Sequence, residues 1–202
     1  IRLYSSGLAL PEFLRKTQWE DFYHIDRSAD WKAEVEPLLS GGDAYIKDPS
    51  TRIAPTLLAA SPGMDVLDLC AAPGGKSYDL ANQMGSSGRI VAVDLPGNRI
   101  QRLTENMTRL RESGISTKVI ESDLLEMDAQ TFKTHKLPVT YDAVMLDAPC
   151  SNTGVIQRRT DVKWRLNEDD FKKCARLQLQ LLKKASAFVG DEGKLVYSTC
   201  SI

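Results

Sequence analysis

The chain has 202 residues, 42% of them apolar and 26% charged, with a formal net charge of -1 and a pI near 6.2. That length supports one substantial core with room for a small accessory segment, and the near-neutral balance excludes a general basic field, so any nucleic-acid partner must be met by a local patch. Four cysteines (Cys70, Cys150, Cys174 and Cys200) form no C-x-x-C pair and the two histidines, His24 and His135, have no ligand-like neighbours, which argues against a metal. No apolar run approaches the roughly 18 residues of a membrane span and no signal-peptide pattern is present, so the reading is no membrane and a reducing, cytoplasmic compartment with free thiols. A chain that opens at Ile1 and stops at Ile202 reads as a fragment of a longer protein.

Residues 1–60 read as a small, mainly helical extension, with short helices over 12–25 and 29–39, Gly41-Gly42 as punctuation and a further helix over 53–60. The Ser-Pro-Gly at 61–63 marks the boundary to a domain spanning 61–202. Short β-rich runs at 64–70, 89–94, 117–122, 141–147 and 193–199 then alternate with helical patterns, which specifies an α/β fold with a doubly wound, mostly parallel sheet of the Rossmann-like kind. Ile100, Leu103, Met107 and Leu110 share one helical face that stops at Gly114. Asn167 caps a long last helix with Phe171, Ala175, Leu182, Ala185 and Val189 on one face, ending at Gly190. Cys174, inside that helix, reads as a structural thiol.

The stretch CAAPGGKS (70–77) follows the first strand and opens a helix, the place where an α/β sheet presents backbone N–H groups to a ligand. Its ending resembles a phosphate loop, but G-x-x-x-x-G-K-[ST] requires glycine where Cys70 stands. The dinucleotide pattern G-x-G-x-x-G is also absent, whereas the acidic residue expected about 20 residues onward is present as Asp94. A ligand with ribose and adenine but no phosphate suits that combination, and S-adenosylmethionine (S-adenosyl-L-methionine) is such a ligand. Asp123, just after the third strand, is placed for its adenine side. Alternatively, both aspartates serve only as caps of turns or helices.

The motif DAPC (147–150) follows the fourth strand and STC (198–200) the fifth, so neighbouring strand ends bring Cys150 and Cys200 to one cleft. A thiolate is what pyrimidine C5 chemistry needs, because C5 is a poor nucleophile until something adds to C6. With an ordinary thiol pKa of about 8.5, the site must favour ionisation, and Lys76 is the candidate cation. Asp147, protonated or sharing a proton, can hydrogen-bond the ring near N3 and stabilise the developing charge.

The segments VLDLCAAPGGK (66–76), DAPCSNTGVIQRRTDVKW (147–164) and YSTCS (197–201) closely resemble the Sun/Nop (Fmu-like) family of RNA cytosine-5 methyltransferases, and residues 46–63 resemble the segment preceding its cofactor loop. The resemblance covers residues 46–202 and leaves 1–45 unassigned. It implies methylation of C5 of cytosine in rRNA or tRNA through a covalent adduct at C6. Under it Cys200 is the nucleophile and Cys150 assists release of the product, and Asp147 and Lys76, as read above from the residues themselves, complete the catalytic set. It places S-adenosylmethionine on Cys70, Ala71, Ala72, Pro73, Gly74, Gly75, Lys76, Asp94, Arg99, Asp123 and Asp147. Family members continue past the T-C-S motif, which accords with the reading as a fragment.

For RNA, the sequence offers one basic cluster, in which Arg158, Arg159, Lys163 and Arg165 surround Trp164. The indole either stacks on a base or packs beneath its own loop, and the charges can equally be a solvated run. Two other functions compete: an inactive, methyltransferase-like RNA-binding scaffold, which has no need of both thiols, and an NAD-dependent oxidoreductase, whose glycine pattern the sequence lacks.

Overall fold

The computed structural model describes residues 1–4, 9–111 and 114–201 and divides into two compact units, 1–53 and 54–202. In the first unit the strands β1 (Arg2–Leu3), β2 (Leu14–Lys16) and β3 (Tyr23–Ile25) precede a π-helical stretch, Trp31–Val35, that runs into α1 (Glu36–Ser40) and then β4 (Ala44–Tyr45). β1 pairs with β4 and β2 with β3, both antiparallel.

The helix expected over 12–25 is therefore a hairpin. Phe13, Leu14, Phe22 and Ile25 mimic helical spacing, but turn chemistry between them decides the outcome. The Thr17 hydroxyl accepts from the Trp19 amide at 3.0 Å and donates to the Phe22 carbonyl at 2.8 Å, while Asp21 takes a left-handed φ of +61°. Phe22 and Leu14 are then buried in the small core of this unit. The second expected helix forms, opened by the Asp30 carboxylate accepting from the amides of Lys32 and Ala33, both at 3.0 Å.

The second unit carries α2 (Ile53–Leu58), β5 (Asp65–Leu69), α3 (Gly75–Met84), β6 (Arg89–Asp94), α4 (Ile100–Arg111), β7 (Ser116–Glu121), α5 (Ala129–Thr134), β8 (Tyr141–Asp147), α6 (Val162–Arg165), α7 (Glu168–Ser186) and β9 (Val189–Ser198). The strands form one parallel sheet in the order β7-β6-β5-β8-β9, so the chain reverses its direction of winding beside β5. Central strands are apolar on both faces because helices cover both. On one face Leu67, Val91 and Val144 share a rung, as do Leu69, Val93 and Leu146, and they pack with Phe132 of α5 and Leu181 and Ala185 of α7. Phe132 sits edge-on to Phe188 at 4.9 Å and to Tyr141 at 5.6 Å. The buried residues Val66, Ile90 and Ala143 point to the other face, and α4 contributes the buried Leu103, Met107 and Leu110.

The amphipathic face read in 100–110 thus packs as expected, and Gly114 takes φ +92°, where a side chain would meet the Ser86 carbonyl at 2.8 Å. The last helix differs in extent and in face. Asn167 caps it in a reciprocal capping box with Asp170, but it closes at Ser186 because Val189 is already paired with Tyr141 in the sheet. Leu181 and Ala185 are the buried residues, whereas Phe171 and Ala175 are exposed. Among the described residues no helix is long and apolar enough to cross a membrane.

Candidate active site

Parallel strands that end level present their last side chains on one rung. Asp94 lies opposite Glu121, Asp147 lies opposite Ser198, and Cys70 follows the Leu69 rung that pairs with Val93 and Leu146. The loop after β5 therefore emerges between two aspartates at the reversal of winding, where open α/β sheets bind ligands. Cys70 turns the chain with a φ of +58° and Gly74 with +100°. A side chain at Gly74 would crowd Leu103 of α4 at 3.2 Å, so glycine there permits both the turn and the close approach of the helix.

The loop is pinned from three sides. The Ala71 amide donates to the Val93 carbonyl at 3.0 Å, the Ala72 amide to Asp94 Oδ2 at 2.8 Å, and Asn106 Nδ2 to the Pro73 carbonyl at 2.6 Å. Asp94, only 6% exposed, also accepts from its neighbour Leu95 at 2.8 Å, with Arg99 at 3.6 Å on the solvent side. Asp123 accepts from the Leu125 amide at 2.9 Å, which is the turn-capping role. Beneath the loop, Asp68 is fully buried; one carboxyl oxygen accepts from the Ser77 hydroxyl at 2.5 Å and the other has no hydrogen-bond partner. Burial pushes its pKa up to about 7, against the opposing pull of Ser77 and Lys76. Burial, then the negative charges of Asp94, Asp68 and Asp147, push the Cys70 thiol up to about 12, so Cys70 stays a thiol.

Lys76, in the first turn of α3, donates to Asp147 Oδ2 at 2.6 Å, and Ser198 donates to Asp147 Oδ1 at 2.8 Å. The cation expected to favour a thiolate is thus engaged by Asp147, and both oxygens of Asp147 act as acceptors.

Cys150 and Cys200 stand on loops that are laced together. The Ala148 amide donates to the Ser198 carbonyl at 3.0 Å and the Gly154 amide to the Cys200 carbonyl at 2.9 Å, while the hydroxyls of Ser151 and Ser201 meet at 2.8 Å. The ionisation of each thiol depends on the other, and Cys200 Sγ donates to Asn152 Oδ1 at 3.1 Å. Burial alone would raise Cys150, but hydrogen bonds from Cys200, from the Ser201 hydroxyl and from backbone amides outweigh it and lower its pKa. Burial, the hydrogen bond to Cys150 and the charges of Cys150 and Asp147 push Cys200 the other way. All four cysteines are free, and Cys174 is half-buried.

Further along the same loop Val162 is buried and anchors the short helix α6, which turns Lys163, Trp164 and Arg165 outward beside the exposed Arg158 and Arg159. The indole of Trp164 is 88% exposed, so it does not pack beneath its loop. Arg165 is paired with Asp161 at 3.2 Å. The sequence reading does not anticipate Asp68, Ser77, Asn106, Asn152 or Ser198. Of these Asp68, Asn152 and Ser198 carry a local signal, since each lies within two residues of a cysteine at a strand end.

Comparison with known proteins accords with this geometry. Residues 55–202 match the family model described as 16S rRNA methyltransferase RsmB/F. A relative from Shewanella oneidensis, named ribosomal RNA small subunit methyltransferase B, is 37% identical over 166 residues, covering 82% of this chain and 37% of its own length. The protein of that name from Sodalis glossinidius is also 37% identical, over 82% of this chain and 36% of its own. The chain thus spans a little over a third of the curated relatives it matches. Among solved structures, PH0851 superposes with a TM-score of 0.80 at 29% identity, covering 94% of this chain and 41% of its own. A methyltransferase homolog protein from Pyrococcus horikoshii gives 0.71 at 31% identity, covering 94% and 56%. A glycine-turned loop between two acidic strand ends, two adjacent strand-end cysteines and a family match over most of its length lead to one conclusion: the chain belongs to the RsmB/F family of 16S rRNA methyltransferases.

Proposed function

We propose that this protein methylates C5 of cytosine in RNA, ribosomal RNA first, with S-adenosylmethionine as methyl donor. The observation that carries the reading is that Cys150 and Cys200 stand on two loops bonded to each other, beside the Lys76–Asp147 ion pair and at the strand ends from which the Cys70–Gly74 loop emerges. The residues of that loop fit the donor. Beside it two pinned aspartates, Asp94 at the end of β6 and Asp123 after β7, suit the donor's hydroxyl and amine groups. When bound, S-adenosylmethionine supplies an electrophilic methyl group.

The chain's own part begins with two unequal thiols. Cys150, the more readily ionised, takes the proton of Cys200: the S–H bond of Cys200 breaks, one forms on Cys150, and the charge moves to Cys200. Cys200 adds to C6, and Asp147, held in place by Lys76 and Ser198, meets the ring edge. Cys150 gives its proton to water. As C5 loses its hydrogen to Cys150, the C6–S bond breaks and Cys200 leaves. The reaction thereby releases one proton overall. The test is transfer of labelled methyl from S-adenosylmethionine into ribosomal and transfer RNA by the full-length protein, followed by bisulfite mapping. Label at cytosine C5 is expected, and RNA binding without incorporation would leave a scaffold instead.

The exposed cluster around Trp164 is the proposed contact for RNA. Trp164 offers a stacking face that its own fold does not use, and the neighbouring guanidinium groups suit phosphates. Replacing Arg158 and Arg159 together by alanine removes two such contacts, so the log–log salt slope of RNA binding is expected to flatten by about 1.4. Filter binding across a salt series reads this directly, and an unchanged slope would take the loop out of the interface.

A further inference from the structure

Asn152 lies two residues beyond Cys150 and holds a left-handed conformation, φ +61° and ψ +22°. That conformation returns its side chain toward both cysteines. Its Oδ1 lies 3.1 Å from Cys200 Sγ, which donates to it, and its Nδ2 donates to the Cys150 carbonyl at 3.2 Å. The second bond fixes the sense of the first. Turning the amide over would set Oδ1 against the Cys150 carbonyl, acceptor against acceptor, so the oxygen stays toward the sulfur. An oxygen there accepts from a thiol and repels a thiolate. The backbone bond from Gly154 to the Cys200 carbonyl, and the lack of room at Gly154, where a Cβ would stand 2.7 Å from that carbonyl, keep the two loops at this separation.

We propose that Asn152 is a positioning residue for Cys200: its amide oxygen accepts the S–H, its amide nitrogen is tied to the Cys150 backbone, and together these bonds hold the nucleophile protonated and oriented until substrate turns the amide. The Cys200 proton is thus held on Asn152 Oδ1 in the resting site, and attack begins when it passes instead to the Cys150 sulfur. The other ionisable groups facing the pair are Asp147, with Lys76 behind it, and Tyr197, and none of them takes the place of an acceptor fixed on Cys200. This inference rests on the reading of Cys200 as nucleophile, but its test does not.

The test is the pH dependence of iodoacetamide alkylation at Cys200, followed peptide by peptide in the full-length protein so that Cys70, Cys150 and Cys174 are counted separately. Asn152→Gly removes the amide and keeps the left-handed turn at no steric cost. It is expected to lower the midpoint for Cys200 by about one pH unit, so that alkylation below the midpoint is about tenfold faster. Asn152→Asp keeps the shape but adds a negative charge, and is expected to raise the midpoint. If Asn152→Gly speeds alkylation by one factor at every pH, the side chain merely shields the sulfur and the proposal is overturned. A midpoint that does not rise in Asn152→Asp overturns it too, and that variant suffices should the glycine variant not fold. Methylation retained by Cys200→Ala would instead remove the nucleophile assignment and leave the midpoint result standing.

Discussion

Cys200→Ala is expected to abolish methyl transfer without trapping RNA, whereas Cys150→Ala accumulates a covalent protein–RNA adduct through Cys200. The asymmetry follows from the opposite environments of the two thiols. Without Cys200 nothing adds to C6, C5 stays unreactive, and incorporation falls to background. Without Cys150 the order of events changes in a defined way. The hydrogen bond and the negative charge that raise Cys200 both disappear, so Cys200 ionises to water more easily than in the wild type and still attacks. What is missing is the acceptor for the C5 proton, so the C6–S bond persists after methyl transfer. Denaturing gels of both variants with RNA and S-adenosylmethionine show the difference, and trapping by Cys200→Ala in place of Cys150→Ala would reverse the roles. In the wild type, on the proposed role of Cys150 as thiolate, its lowered pKa means that activity is expected to rise with pH through a midpoint shifted down from that of a free thiol.

Asp94→Ala is expected to lose about 100-fold or more in affinity for S-adenosylmethionine. Two contributions combine. The carboxylate is proposed to accept from the ribose hydroxyls, and a hydrogen bond to a charged group is worth about 1.5–3 kcal/mol. It also holds the Ala72 amide at 2.8 Å, and so fixes the loop from which the donor's methionine end is to be bound. Titration calorimetry measures the loss, with a thermal melt of the same variant to confirm a folded sheet. Unchanged affinity would show that the loop is held by Val93 and Asn106 alone and that ribose is bound elsewhere. Arg99→Ala provides the contrast. At 3.6 Å and largely exposed, its pairing with Asp94 is screened by solvent, so it is expected to change affinity little.

The sheet was legible in the sequence because each strand is a short apolar run bounded by turn residues, and burial on both faces demands that pattern wherever the strand lies. The same holds for the amphipathic face of α4, for the Asn167 cap, and for the placing of Cys70, Asp94, Asp123, Asp147, Cys150 and Cys200 at strand ends, since strand ends follow from strand positions. The hairpin at β2 and β3 was not legible from spacing, because Leu14, Phe22 and Ile25, eight and three apart, suit one face of a helix as well, and the hydrogen bonds of Thr17 with the left-handed Asp21 settled it. The exit from α7 was likewise a tertiary matter, fixed by the pairing of Val189 with Tyr141. What the sequence by itself determined, then, was which residues end the strands. Only the tertiary structure decided which of those residues bond to one another: Lys76 to Asp147 in place of a thiol, Ser77 to Asp68, and Asn152 to Cys200. Such pairings join residues nine to seventy-one positions apart, and the choice among competing partners is made by register, burial and hydrogen-bond geometry, none of which is a property of local sequence.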